Sequence, residues 1–106
     1  MKPLYPLFGI VTVLNTPFTS QNTIDLGALK RHVQMALDAG VSGFLVPAMA
    51  SEVYSLDRHE RQLVVDAVLQ QVNGRVPVIG GAGETDRTSR ANIVQDLLDL
   101  GCTSVL

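Results

Sequence analysis

Ala36 to Leu45 (ALDAGVSGFL) and Leu97 to Leu106 (LLDLGCTSVL) align without gaps, keeping Leu, Asp, Gly and the final Leu, with Val/Cys, Ser/Thr and Phe/Val as near replacements. The two copies lie roughly 60 residues apart, twice the ~30-residue size of a βα unit. Each copy reads as the end of an amphipathic helix, a glycine that stops it, and the start of an apolar strand. Parallel neighbours need a crossover, usually a helix, and strands buried on both faces read as unbroken apolar runs. The repeated module therefore predicts a parallel sheet jacketed by helices.

The rest of the chain fills in that alternation. Gly9 to Leu14 (GIVTVL) is a β-branched run closed by Asn15-Thr16-Pro17, and Pro17 biases Thr16 away from helix. From Asp25, apolar Leu26, Leu29, Val33, Ala36 and Leu37 recur at helical steps, with Thr23 or Asp25 as cap and Gly40 as stop. Val41 to Val46 is a second strand. Asp57-Arg58-His59-Glu60 opens a second helix with a capping box, and Leu63, Val64, Ala67, Val68 and Val72 are its expected inner positions before Asn73-Gly74. Arg75 to Ile79 is a third strand, running into Gly80-Gly81-Ala82-Gly83. A third helix is expected from about Thr88 to Leu100, with Ile93, Val94, Leu97, Leu98 and Leu100 inward, and residues 102 to 106 begin a fourth strand.

This pattern fits an open doubly wound sheet or an eight-stranded (β/α) barrel. Ser104-Val105-Leu106 is the middle of an apolar strand pattern, and four strands cannot close a barrel of ~250 residues. The expectation is that the chain is the first half of something longer, with a self-sufficient four-stranded sheet as the alternative.

Composition narrows the partners. A net charge of −2 with no Lys/Arg cluster gives no attraction for a phosphate backbone, so nucleic acid is not expected. Nor is a membrane, since no run approaches ~18 apolar residues. Pro3 and Pro6 interrupt the N-terminal apolar stretch and no small-x-small site follows, which argues against a secretion signal. The lone cysteine, Cys102, has no disulfide or metal-ligand partner and reads as a small buried hydrophobe in a reducing compartment. A cytoplasmic location is the expectation.

Few residues here are chemically assertive. Lys2 and Lys30, the only lysines, read as solvated surface charges. His32 and His59 have no ligand partners in sequence, so no metal and no cofactor are expected. Glu52 stands at a strand end without a second carboxylate at a paired spacing, and Tyr54 reads as a partly buried packing residue. The Gly80 to Gly83 turn lacks the third glycine of a dinucleotide fingerprint and any Gly-Lys-Ser/Thr. Its glycines are expected to serve a bend through positive φ. Were it a phosphate cradle, Arg87 and Arg90 would supply the counter-charge.

Several of these stretches carry a resemblance. Gly9-Ile10-Val11-Thr12-Val13-Leu14-Asn15-Thr16-Pro17-Phe18 resembles the opening strand and Thr-Pro-Phe turn of the dihydrodipicolinate synthase and N-acetylneuraminate lyase family. Gly43 to Glu52 (GFLVPAMASE) is similar to its second-strand signature, apolar residues running into Gly-Thr/Ser-Thr-Gly-Glu, and Glu60 matches an acidic position on the next helix. Val78-Ile79-Gly80-Gly81-Ala82-Gly83 resembles its third-strand Val-Ile-Ala-Gly-x-Gly turn.

The resemblance implies an α/β fold of the (β/α)8 TIM barrel type. Residues 1–106 would be the N-terminal half of one barrel domain, covering about the first three βα units and the start of strand four, with no second domain. It implies a class I lyase or aldolase, in which a lysine forms a Schiff base with pyruvate or another 2-oxo acid. The family's lysine and relay tyrosine sit on later strands, beyond Leu106, so no catalytic residue is expected in this chain. Ala48, Met49, Ala50, Ser51 and Val13 are the expected substrate contacts, with Thr16, Glu52, Gly81 and Gly83 structural at the site. Where the family has two adjacent hydroxyls for the substrate carboxylate, this chain has Met49 and Ala50. Backbone N–H groups of Ala50 and Ser51, with the Ser51 hydroxyl, are the expected substitutes. That departure argues against a strict dihydrodipicolinate synthase. Two other classes stay open: a phosphate-binding α/β module built on Gly80 to Gly83, and a non-catalytic half-barrel. The expected partners are a small 2-oxo acid and either further copies of the chain or a complementary half-barrel.

Overall fold

The computed structural model describes residues 9–84 and 86–106. Four strands, β1 (Val11–Val13), β2 (Gly43–Val46), β3 (Val78–Gly80) and β4 (Ser104–Val105), alternate with three helices, α1 (Leu26–Asp38), α2 (Arg58–Val72) and α3 (Arg87–Leu100). The strands pair in chain order and all in parallel, with Thr12 opposite Phe44, Phe44 opposite Val78, and Gly80 opposite Val105. All four strand ends therefore emerge on one side of the sheet.

The helix signals act as their chemistry requires. The Asp25 carboxylate accepts from the Ala28 N–H at 2.9 Å, and Asp57 and Glu60 exchange reciprocal bonds of 2.8 and 3.0 Å across the capping box. Asp86, two residues before the expected start of α3, caps it by accepting from the Ser89 N–H at 2.8 Å, and its hydrogen bonds to Ser89 hold its carboxyl below the usual range. The repeated glycines, Gly40 and Gly101, sit at φ of 90° and 108°, a left-handed conformation that only glycine adopts cheaply.

Phe44, Val46 and Val78 point from the sheet into a core with Leu29 and Val33 of α1, Val64, Val65, Val68 and Val72 of α2, and Ile93 and Leu97 of α3. Two expected inner positions lie elsewhere: Leu63 is 37% exposed and Leu98 49%. Residues two apart on a helix face nearly opposite ways. The buried residues of α2 are Arg61, Val64, Val65, Ala67, Val68 and Val72, centred on Val64, Val65 and Val68, which leaves Leu63 on the outer flank beyond Ala67.

Cys102 is buried, as its composition suggested, and burial pushes its thiol up to about 11. Near pH 8, alkylation of the native protein by iodoacetamide is expected to run about 100-fold slower than that of the unfolded chain, whose thiol titrates near 8.5. Because the folded value is the raised one, the stability linked to this proton is fully present below the unfolded pKa and is lost as pH climbs through about 11. Mass spectrometry of the labelled protein reads the rate directly.

Candidate functional site

The ends of β1, β2 and β3 converge on a shared rim. After β2 the chain passes Pro47 and makes two short 3-10 turns, Met49–Ser51 and Val53–Ser55, joined by Glu52 in a left-handed conformation at φ 59°. This loop is tied to the end of β1. The Ser51 hydroxyl donates to the Leu14 carbonyl and accepts from the Ala48 N–H at 3.2 Å, while the Thr16 hydroxyl donates to the Ser51 carbonyl at 2.6 Å. Thr16 and Ser51 are both buried.

That geometry corrects the part expected of Ser51. Its N–H donates to the Ala48 carbonyl at 3.0 Å and its hydroxyl proton goes to Leu14, so neither is offered to a ligand. Ser51 fastens the loop. Met49, by contrast, is 82% exposed on the crown of the loop, and Ala50 is exposed beside it. Val13 pairs with Leu45, which pairs with Ile79, on the sheet face turned away from the helices. Glu52 contributes its backbone to both turns, accepting from the Ser55 N–H at 2.9 Å, while its residue is exposed. Tyr54, expected to be partly buried, is 64% exposed. Lys30 lies on α1, in the outer layer, and Lys2 lies outside the described residues.

The turn after β3 closes the third side, for a reason other than the one expected. Among the described glycines those with positive φ are Gly9, Gly40, Gly74 and Gly101, not Gly80, Gly81 or Gly83. Close approach is what requires glycine at Gly81 and favours it at Gly80. A Cβ on Gly81 would stand 1.7 Å from the Pro47 carbonyl oxygen, and one on Gly80 would stand 2.8 Å from a Leu97 methyl. Gly83 is under no such pressure, since its Cβ would meet Val53 at an ordinary 3.4 Å. The same packing speaks against a phosphate cradle. The Gly81 N–H donates to Val46 at 3.1 Å and the Ala82 N–H to Leu106 at 3.0 Å, so two donors a phosphate would need already serve neighbouring strands.

Arg61, which the sequence reading passed over, lies behind the rim. It is 6% exposed, with Nε donating to the Leu56 carbonyl at 3.1 Å and Nη1 to the Gly83 carbonyl at 2.7 Å, and with Nη2 3.7 Å from the Glu84 carboxylate. The helical stripe carried the signal, since Arg61 precedes Val64, Val65 and Val68 by three, four and seven residues. A groove of about 170 Å³ opens beside it between the first turns of α2 and α3, and none of the expected site residues lines it. Nearby, Arg58 grips Asp96 with bonds of 2.7 and 2.8 Å, which raises the Arg58 guanidinium and lowers the Asp96 carboxyl from their ordinary values. No group of three or more His, Cys, Asp or Glu placed to hold a metal occurs among the described residues. Nor is any described helix long and apolar enough to cross a membrane.

This arrangement matches known proteins along most of the chain. The chain is 34% identical over 98 residues to the 4-hydroxy-tetrahydrodipicolinate synthase of Staphylococcus haemolyticus, covering 92% of this chain and 33% of that protein. The counterpart in Pelobacter propionicus is 35% identical over a span of the same length. A solved dihydrodipicolinate synthase of Bacillus anthracis superimposes with a TM-score of 0.87 at 25% identity, covering 92% of this chain and 34% of that one. The chain thus spans about a third of the length of the relatives it matches, and its parallel sheet is a partial TIM barrel. The model of the dihydrodipicolinate synthetase family matches residues 6–106, and the chain belongs to that family.

Proposed function

We propose that this chain is the N-terminal part of a single (β/α)8 barrel enzyme, a Schiff-base lyase or aldolase acting on pyruvate or another 2-oxo acid. The observation that carries this reading is the convergence of three parallel strand ends on one rim, in a chain of this family, with the loop after β2 tied through Ser51 to the end of β1. Val13, Ala48, Met49 and Ala50 supply the substrate-facing surface. Thr16, Ser51 and Gly81 set its shape. The strands that complete the barrel pair on the outer edges of β1 and β4, and the lysine and tyrosine that form and protonate the imine come with them. With no hydroxyls at Met49 and Ala50 and Ser51 committed elsewhere, the Ala50 N–H is the donor left to the substrate carboxylate.

The test is borohydride trapping on the full-length protein with pyruvate and with longer 2-oxo acids. One reduced adduct per subunit, on a lysine beyond Leu106, is expected. Absence of an adduct with every 2-oxo acid would defeat the reading. Restoring hydroxyls with Met49→Thr and Ala50→Thr is expected to tighten pyruvate binding by about 10- to 100-fold, the worth of a hydrogen bond to a charged group. Unchanged affinity would remove the carboxylate from this loop.

A further inference from the structure

We propose that Arg61 is the positioning residue of the rim, a buried guanidinium that sets the turn after β3 against the loop after β2. The rim's other ties join one strand end to its neighbour: Ser51 and Thr16 fasten the β2 loop to β1, Gly81 donates to Val46, and Ala82 and Gly80 exchange bonds with Leu106. Arg61 instead reaches from the first turn of α2 to the turn after β3. Its Nε reaches Leu56, the last residue before α2 is capped, and its Nη1 reaches Gly83, beyond the next strand. Gly83 in turn packs against Val53 and Tyr54 of the β2 loop, so the guanidinium draws together two surfaces already in contact.

The choice of arginine has a physical basis. Burying a cation is costly, and the residues around Arg61 on the α2 stripe are valines that would accept an apolar side chain at that position. A planar fork presents diverging donors to the two carbonyls from one rigid frame, whereas a lysine ammonium offers its three donors from a single point on a flexible stem and lacks that preset geometry. Glu84, 3.7 Å from Nη2, adds charge balance from the same turn.

The experiment is amide hydrogen exchange on the full-length protein, comparing Arg61→Lys with Val65→Ala, a core change on the same helix. In Arg61→Lys the Gly81 and Ala82 amides are expected to exchange about tenfold faster, the equivalent of one lost hydrogen bond, with the amides of α1 unchanged. Val65→Ala is expected to speed exchange evenly. A guanidinium salt well below denaturing concentration, added to Arg61→Ala, is expected to restore protection in the turn. Gly81 and Ala82 exchange that is unchanged in Arg61→Lys, or that rises no more than in α1, would overturn the proposal. A second readout rests on the proposed function: KM for the 2-oxo acid rises about tenfold in Arg61→Lys while kcat holds. Should the wild-type protein form no 2-oxo acid adduct, that function fails, and exchange in the turn still decides the role of Arg61.

Discussion

Gly81→Ala is expected to destabilise the protein by at least about 3 kcal/mol, at the severe end of what a single methyl can do. The added carbon would stand 1.7 Å from the Pro47 carbonyl oxygen and 2.9 Å from its carbonyl carbon. Both are backbone atoms at the end of β2, so no rotamer change relieves the clash. The turn must move away from β2, and it is held there by the bond from the Gly81 N–H to the Val46 carbonyl at 3.1 Å. Separation breaks that bond and pulls Gly83 off Arg61. Gly83→Ala is the matched comparison: its methyl meets Val53 at 3.4 Å and the Tyr54 hydroxyl at 3.5 Å, ordinary contacts, and the Gly83 carbonyl stays available to Arg61. It is expected to change stability by less than about 1 kcal/mol, with reduced unfolded-state freedom offsetting any crowding. Urea midpoints of the two variants decide the matter. Equal losses would mean that the approach of Pro47 is not what excludes a side chain at Gly81.

The architecture was legible because it rests on local signals. Apolar runs, helical stripes and caps are written within a few residues of where they act, and the repeat at Gly40 and Gly101 marked two equivalent strand entries. The rim was only partly legible, for a consistent reason. Ser51 was read as a ligand donor because its partner, the Leu14 carbonyl, is 37 positions away and leaves no mark in the sequence. Gly81 was marked as special, but the cause was assigned to backbone bending, whereas a neighbouring strand's carbonyl occupies the space of a side chain. Arg61 was passed over because the inner positions of α2 were sought among its apolar residues, and its guanidinium lies in that same buried stripe. For Ser51 and Gly81 the deciding partner comes from another βα unit. Residue type and periodicity describe a unit in isolation.

Ser51→Ala is expected to cost about 2–4 kcal/mol, because one hydroxyl serves the buried Leu14 carbonyl and the half-buried Ala48 N–H at once. The Leu14 carbonyl loses its donor and the Ala48 N–H loses its acceptor, and Ser51 is 0% exposed, so water cannot reach in without opening the loop. Thr16→Val removes a single bond, the 2.6 Å contact to the Ser51 carbonyl, and is expected to cost about 1–2 kcal/mol. Both bonds cross the same seam between β1 and the loop. Once either change has let that seam open, the other bond is worth less, so the double variant is expected to fall short of the sum by at least about 0.5 kcal/mol. Denaturation of the wild type, both single variants and the double variant measures that shortfall. A loss below about 0.5 kcal/mol for Ser51→Ala alone would mean that the hydroxyl is dispensable to the loop and free to turn toward a ligand.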